Sequence, residues 1–305
     1  MLAPRTQRLF ELVKKSIGYI LFLICAISIY REVTHYQHIE KYGKELKSQF
    51  LQIHWTCWIL LLALMLLNFI IETIKWKWVL SIDTPISFKK AFASVFVGQA
   101  LAFYTPNRLG DYVGRTIMLE EGDKKMALAK VGWVSYAQLI ITIMMGAIAL
   151  FIKPYFATWL QWAMPLTVLL ALLIYYTKIN FKGKWVFLNR FQIDSSIKSV
   201  LLILSLCRYL IFILQYAWAA SMLGIQIPLF ELMTGVAILF LTLSVLPTIS
   251  YTEWVVRGQI ITMLFASWCS NSLLLIALAT MIWCVNLVLP AIIGAFLLLG
   301  FKLKR

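Results

Sequence analysis

Acidic side chains are scarce in this chain, and so are cysteine and histidine: 305 residues hold 13 Asp and Glu, five Cys and three His. The cysteines, Cys25, Cys57, Cys207, Cys269 and Cys284, are scattered with no CxxC pair, and most lie in apolar runs. That excludes a redox dithiol and reads as small hydrophobes in helix packing. His35, His38 and His54 are too few and too widely spaced for a metal centre. No nucleotide-binding glycine loop, HExxH or GxSxG occurs. Without a nucleophile–base pair or a metal cluster the chain does not read as an enzyme, and neither a cofactor nor a metal is expected. Long polar stretches are missing as well. The longest, roughly residues 31–53, is too short to build a core of its own.

What the chain has in abundance is apolar sequence. Hydrophobic residues make up 62%, against about 45–50% in an ordinary water-soluble domain, and they fall in runs long enough to cross a bilayer. The 28 Lys and Arg give a net charge of +15, and they sit between the apolar runs, where they orient helices and meet anionic lipid heads. No aromatic-basic module is interleaved with them, so nucleic acid is not an expected partner. Near the start, Arg5, Arg8, Lys14 and Lys15 precede an apolar run over 16–30, the outline of a signal peptide. Arg31 and Glu32 follow it with no small-residue cleavage site, so the run reads as an uncleaved first helix.

The pattern predicts an all-α polytopic membrane protein with about six full spans: 13–31, 54–74, 131–152, 159–177, 198–222 and 272–299. Two further apolar segments, 88–126 and 230–268, read as hairpins, either re-entrant or paired spans. Basic residues cluster at the N-terminal flank, at Lys75, Lys77, Lys89 and Lys90, over 178–198, and at Lys302, Lys304 and Arg305. These regions are expected on the cytoplasmic side of the cell membrane, with both termini inside. The first hairpin then enters from the inside and the second from the outside. Residues 1–155 and 156–305 thus form an inverted repeat, an architecture in which transporters bind substrate near the midplane.

Both hairpin tips are unusual. The first contains Thr105, Pro106, Asn107, Arg108, Leu109, Gly110, Asp111, Gly114 and Arg115. Thr105 suits an N-cap and Pro106 the first helical position, so a helix is expected to restart there. Arg108, Asp111 and Arg115 would then share one face, Asp111 and Arg115 would pair at i,i+4, and Gly110 with Gly114 would allow close helix approach. In the second tip, beyond Pro247, Ser250 and Glu253 match a capping box, and Glu253 with Arg257 repeats the acid-to-arginine spacing. A charge at the bilayer centre costs at least ~2.5–3.5 kcal/mol on insertion scales. Such residues persist when they face a cavity, a partner or a ligand. Arginines beside a helix start suit a phosphate. Arg108, Arg115 and Arg257 are the candidate ligands, oriented by Asp111 and Glu253. Two plainer readings compete: a solvated, lipid-touching helix over Arg108 to Arg115, and a purely structural pair of Glu253 with Arg257. The Trp residues near helix ends read as interfacial belts, and Glu120, Glu121, Asp123, Lys124 and Lys125 as a water-facing loop.

The run Pro106-Asn107-Arg108-Leu109-Gly110-Asp111 resembles the Pro-Gly-Arg-x-Gly-Glu motif of the flippase-like family that includes the membrane region of lysylphosphatidylglycerol synthases. Leu246-Pro247 followed by Glu253 is similar to that family's second motif. Asn107 stands where the motif has Gly, Asp111 where it has Glu, and Arg115 falls four residues after the acid where three are expected. The second motif's glycines are replaced by Ile249, Ser250 and Tyr251. The resemblance implies a lipid-handling membrane fold. No segment corresponds to the soluble aminoacyl-transferase domain of bifunctional members, so lysine transfer is not implied. The expected function is translocation of an anionic phospholipid or a polyprenyl-phosphate-linked sugar between leaflets, and anionic lipids are the expected partners. No ATP-binding motif is present, so movement would be downhill, ion-coupled or partner-driven. The alternative is a non-transporting accessory subunit of a lipid-modifying or glycosyltransferase enzyme.

Overall fold

The computed structural model describes residues 39–81, 85–119, 124–153, 158–178, 191–246 and 252–302, together with Ile27, Tyr30 and Ser250. These residues are almost entirely helical, and no strand occurs among them. The expected first span, His35, His38 and Pro247 fall largely or wholly outside that set.

In chain order the helices are α1 (Ile39–Gln52), α2 (Trp55–Leu80), α3 (Phe88–Tyr104), α4 (Gly110–Ile117), α5 (Lys124–Ile152), α6 (Thr158–Tyr176), α7 (Ser195–Met222), α8 (Leu229–Val245), α9 (Glu253–Phe265) and α10 (Ser272–Trp283). A single π-helical turn over Cys284–Val288 then joins α10 to α11 (Leu289–Lys302). Among the described residues, four stretches are long and apolar enough to cross a membrane: Trp55–Leu80, Lys124–Ile152, Ser195–Met222 and Ser272–Gly300. In α6 the apolar part is shorter, Gln161–Tyr176, with Pro165 inside the helix. Large apolar side chains point outward, among them Leu169, Leu173, Met263 and Phe296. A water-soluble helical protein would bury such faces, whereas hydrocarbon accepts them.

Several boundaries differ from the sequence reading. The α5 helix begins at Lys124, so Lys124 and Lys125 lie on a helix and are not loop. Charge at the start of a helix lowers its apolar average without shortening it. The polar stretch 31–53 contains α1, whose N-terminal turn carries the exposed pair Glu40–Lys44 at 2.8 Å. It is tied to the far end of the chain by Asn271, whose amide donates to Glu45 at 2.8 Å.

Each apolar hairpin contains two helices, α3 and α4 in the first and α8 and α9 in the second. The second arm of the first hairpin, α4, has eight residues, and that of the second, α9, has thirteen. At 1.5 Å per residue these are about 12 and 20 Å long, against a hydrocarbon core of about 30 Å. Close packing of α3 on α4 depends on glycine. A Cβ on Gly114 would lie 2.5 Å from the Cα of Gly98, and one on Gly110 would lie 2.2 Å from the carbonyl oxygen of Leu101. The last helix packs against α3 just as tightly, with Gly294 on the backbone of Phe96.

The π turn has a cause in the sequence. Pro290 lacks an N–H, and its ring would meet the carbonyl four residues back, at Asn286. The chain takes one extra residue into that turn, and Leu289 N–H bonds to the Cys284 carbonyl, five back.

Candidate functional site

Four polar residues stand at or beside the halfway points of the four long helices: Asn68 of 55–80, Gln138 of 124–152, Arg208 of 195–222 and Asn286 of 272–300. All four are clustered. The Arg208 Nε donates to Asn68 Oδ1 at 2.7 Å, and Asn68 Nδ2 returns a bond to the Arg208 carbonyl at 3.3 Å. The Arg208 guanidinium also reaches Gln138 Oε1 at 3.4 Å. Gln138, Arg208 and Asn286 all face one cavity of about 450 Å³.

One turn beyond Asn68, Glu72 serves as the hub of a buried ion-pair network. Its carboxylate pairs with Arg208, with Arg115 Nη2 at 2.7 Å and with Lys75 Nζ at 3.3 Å. Arg115 in turn holds Asp111 in both directions, Nε to Oδ1 and Nη2 to Oδ2, each at 2.8 Å. Such two-point contact fixes orientation as well as charge. The Arg115 guanidinium also lies 5.9 Å from the centre of the Trp76 ring, within cation–π range. Asp111 leaves no room for a side chain at position 98, where a Cβ would come 2.3 Å from its Oδ1.

The first tip departs from expectation in detail. The helix restarts at Gly110, not at Thr105, and Pro106 is not its first residue. Thr105 is instead the extended C-cap of α3. Its hydroxyl still satisfies the new helix, accepting the Gly110 N–H at 2.7 Å across the turn. The chain reverses through Asn107 and Arg108, with φ of 49° and 58°, a left-handed conformation that asparagine tolerates and arginine rarely adopts. Arg108 therefore shares no helical face with Asp111 and Arg115. It reaches the cavity from the turn, held by a hydrogen bond to Gln99 Oε1.

At the second tip the capping box does not form. Thr252 precedes the helix without a side-chain cap, and the Ser250 hydroxyl donates to the Ala102 carbonyl at 3.4 Å. Trp283 Nε1 donates to the Ser250 carbonyl at 2.8 Å. The second tip thus touches the end of the first hairpin's long arm. Arg257 pairs with Glu253, Nε to Oε1 at 2.9 Å, and its Nη1 donates to the Tyr216 hydroxyl at 3.2 Å. Arg257 also lines the cavity.

Arg108, Asp111, Arg115 and Arg257 therefore converge on one cavity, with Glu253 just behind Arg257. Arg115 is 5% exposed and Arg257 7%, which is not the environment of a solvated surface helix. Gly110 and Gly114 hold the first hairpin closed. The cavity wall also contains Glu72, Gln99, Gln138, Arg208, Tyr209 and Asn286, none of which the tips reveal. A signal for two of them was present: Glu72 and Arg208 are charges inside apolar runs, where charge is rare. Four guanidinium groups and two carboxylates face the cavity. The surplus of two positive charges stays the same when Lys75 and Glu253, which stand behind the wall, are included. The rest of the lining is apolar, with Phe69, Phe212, Phe240 and Ile282. Such a chamber can hold an anion with an apolar body.

No family model matches the chain, and neither a curated protein nor a solved structure matches it.

Proposed function

We propose that this protein is a flippase-like transporter that moves an anionic lipid, a phospholipid or a polyprenyl-phosphate-linked sugar, between the leaflets of a cell membrane. The observation that carries the reading is the cavity shared by both hairpins at mid-helix depth, with four arginines against two carboxylates and an apolar remainder. Buried guanidinium groups in surplus are costly unless an anion completes them.

Internal symmetry supports it. In the first half, hairpin residue Arg115 bonds to Glu72 on the preceding long helix. In the second half, hairpin residue Arg257 bonds to Tyr216, also on the preceding long helix. The repetition fits an inverted repeat of residues 1–155 and 156–305. Hairpin arms of eight and thirteen residues fit re-entrant dips better than full spans. The motif at Pro106 to Asp111 adds its resemblance to the flippase-like family. Basic loops orient both termini toward the cytoplasm.

The test is leaflet exchange of a labelled phosphatidylglycerol in vesicles holding the purified full chain. Exchange should exceed that of empty vesicles and fall at least tenfold in Arg257→Ala and in Arg108→Ala. No exchange, with the protein co-purifying with a transferase, identifies an accessory subunit instead. Exchange and lipid binding that survive both substitutions remove the arginines from the site.

A further inference from the structure

The polar atoms left over in the cavity describe the headgroup that completes it. Gln99 gives its Oε1 to Arg108, and its Nε2 has no hydrogen-bond partner. Arg115 spends Nε and Nη2 on carboxylates, and its Nη1 has none either. Asn286 is 4% exposed and stands in the cavity wall on the π turn. Its Nδ2 donates to the Ile282 carbonyl at 3.1 Å, which fixes the amide's orientation and leaves Oδ1 a buried acceptor with no partner. Buried polar groups are nearly always satisfied in folded proteins. The Tyr209 hydroxyl, also in the wall, has no partner either, so four unsatisfied atoms around one chamber read as contacts kept for an occupant.

Their types are informative. Two free donors within an arginine cluster call for anionic oxygens. One free amide acceptor calls for an O–H or N–H, and the Tyr209 hydroxyl can give or take a hydrogen bond with either part of the headgroup. An ammonium group could supply that proton, but it would enter a chamber with a surplus of positive charge. Neither carboxylate in the wall is free to receive it, because Asp111 is held twice by Arg115 and Glu72 is shared among Arg115, Arg208 and Lys75. A neutral hydroxyl supplies the same proton without added charge.

We infer that the cavity selects phosphodiester lipids whose headgroup carries neutral hydroxyls, as glycerol or a sugar does, over headgroups ending in an ammonium, and that Asn286 is the residue that sets this preference. The inference rests on the lipid-handling reading above and narrows its substrate class. The phosphate is met by Gln99 and Arg115, and the hydroxyl by Asn286 Oδ1.

Three probes separate the claims: phosphatidylglycerol, phosphatidylmethanol (the same single charge, no hydroxyl) and phosphatidylethanolamine. Each is titrated against the purified full chain in phosphatidylcholine vesicles, with binding and exchange both read. Phosphatidylglycerol should bind about tenfold more tightly than phosphatidylmethanol, the worth of one buried hydrogen bond, and phosphatidylethanolamine more weakly than either. Asn286→Leu should erase the first difference and leave phosphatidylmethanol binding unchanged. Asn286→Asp, which adds a free carboxylate, should raise phosphatidylethanolamine binding. Equal binding of phosphatidylglycerol and phosphatidylmethanol by the unaltered protein overturns the inference and leaves the transport reading standing. Binding of none of the three overturns the inference together with the phospholipid form of the transport reading.

Discussion

Arg115 Nη2 lies 2.7 Å from Glu72 Oε1, and this contact fastens the first hairpin to the long helix that precedes it. Glu72 carries two further cations, Arg208 and Lys75, so one carboxylate neutralises charge drawn from three helices. Replacing it should therefore matter more than replacing any one partner. Glu72→Gln keeps the shape and strands three buried cations. We expect a loss of about 3–5 kcal/mol, the usual result of removing one side of a buried pair, seen as a lower unfolding temperature in detergent. Adding Arg208→Met should recover part of that loss by removing one stranded charge.

The close approach of Gly114 to Gly98 sets up a second prediction. A methyl group at 114 would meet the Gly98 backbone at 2.5 Å, and backbone cannot step aside as a flexible side chain can. Gly114→Ala should cost about 1–3 kcal/mol through overpacking, measured by thermal unfolding. A methyl at Gly132, which has nothing within 4 Å, should be tolerated and serves as the control.

Asn107 turns the chain with a φ of 49°. Asn107→Gly relieves the left-handed conformation and should raise stability by up to about 1 kcal/mol. Asn107→Val should lower it by more than that, because a β-branched side chain is poorly accommodated there. Unfolding temperatures of the two variants should move in opposite directions.

Tyr216 is the partner that holds Arg257 from the opposite side to Glu253, through a hydrogen bond of 3.2 Å. Tyr216→Phe removes that bond while keeping the ring against Phe240. A hydrogen bond to a charged group is worth about 1.5–3 kcal/mol, so unfolding should occur at a lower temperature by that measure. Exchange of labelled lipid should fall too, since Arg257 is left with one anchor.

Much of this architecture was legible beforehand, and the parts that were not share a physical reason. Long apolar runs gave the helices, and charges inside them marked the hairpins. Arg115 and Arg257 could be connected because each lies beyond a proline and four residues after an acid, Asp111 and Glu253. Thr105 caps a helix that begins five residues on, at Gly110, because the chain first reverses through Asn107 and Arg108, and the Ser250 hydroxyl is taken by the distant Ala102 carbonyl. Local propensity cannot foresee the second of these partners. Asn68, Gln138 and Asn286 went unnoticed for a different reason. A neutral amide in an apolar run carries little signal until the helix ends are known, because only the ends show that it sits halfway. Glu72 and Arg208 were missed as well, although each is a full charge inside an apolar run and so carries a signal of its own.

The halfway position of those residues bears on direction. A site about 14 residues from each end of its helices lies roughly 21 Å from either end. Nothing in its depth then favours one leaflet over the other. If the chamber holds the lipid proposed above, that lipid would rest as on a level pass between two valleys, with no slope toward either side set by where the chamber stands.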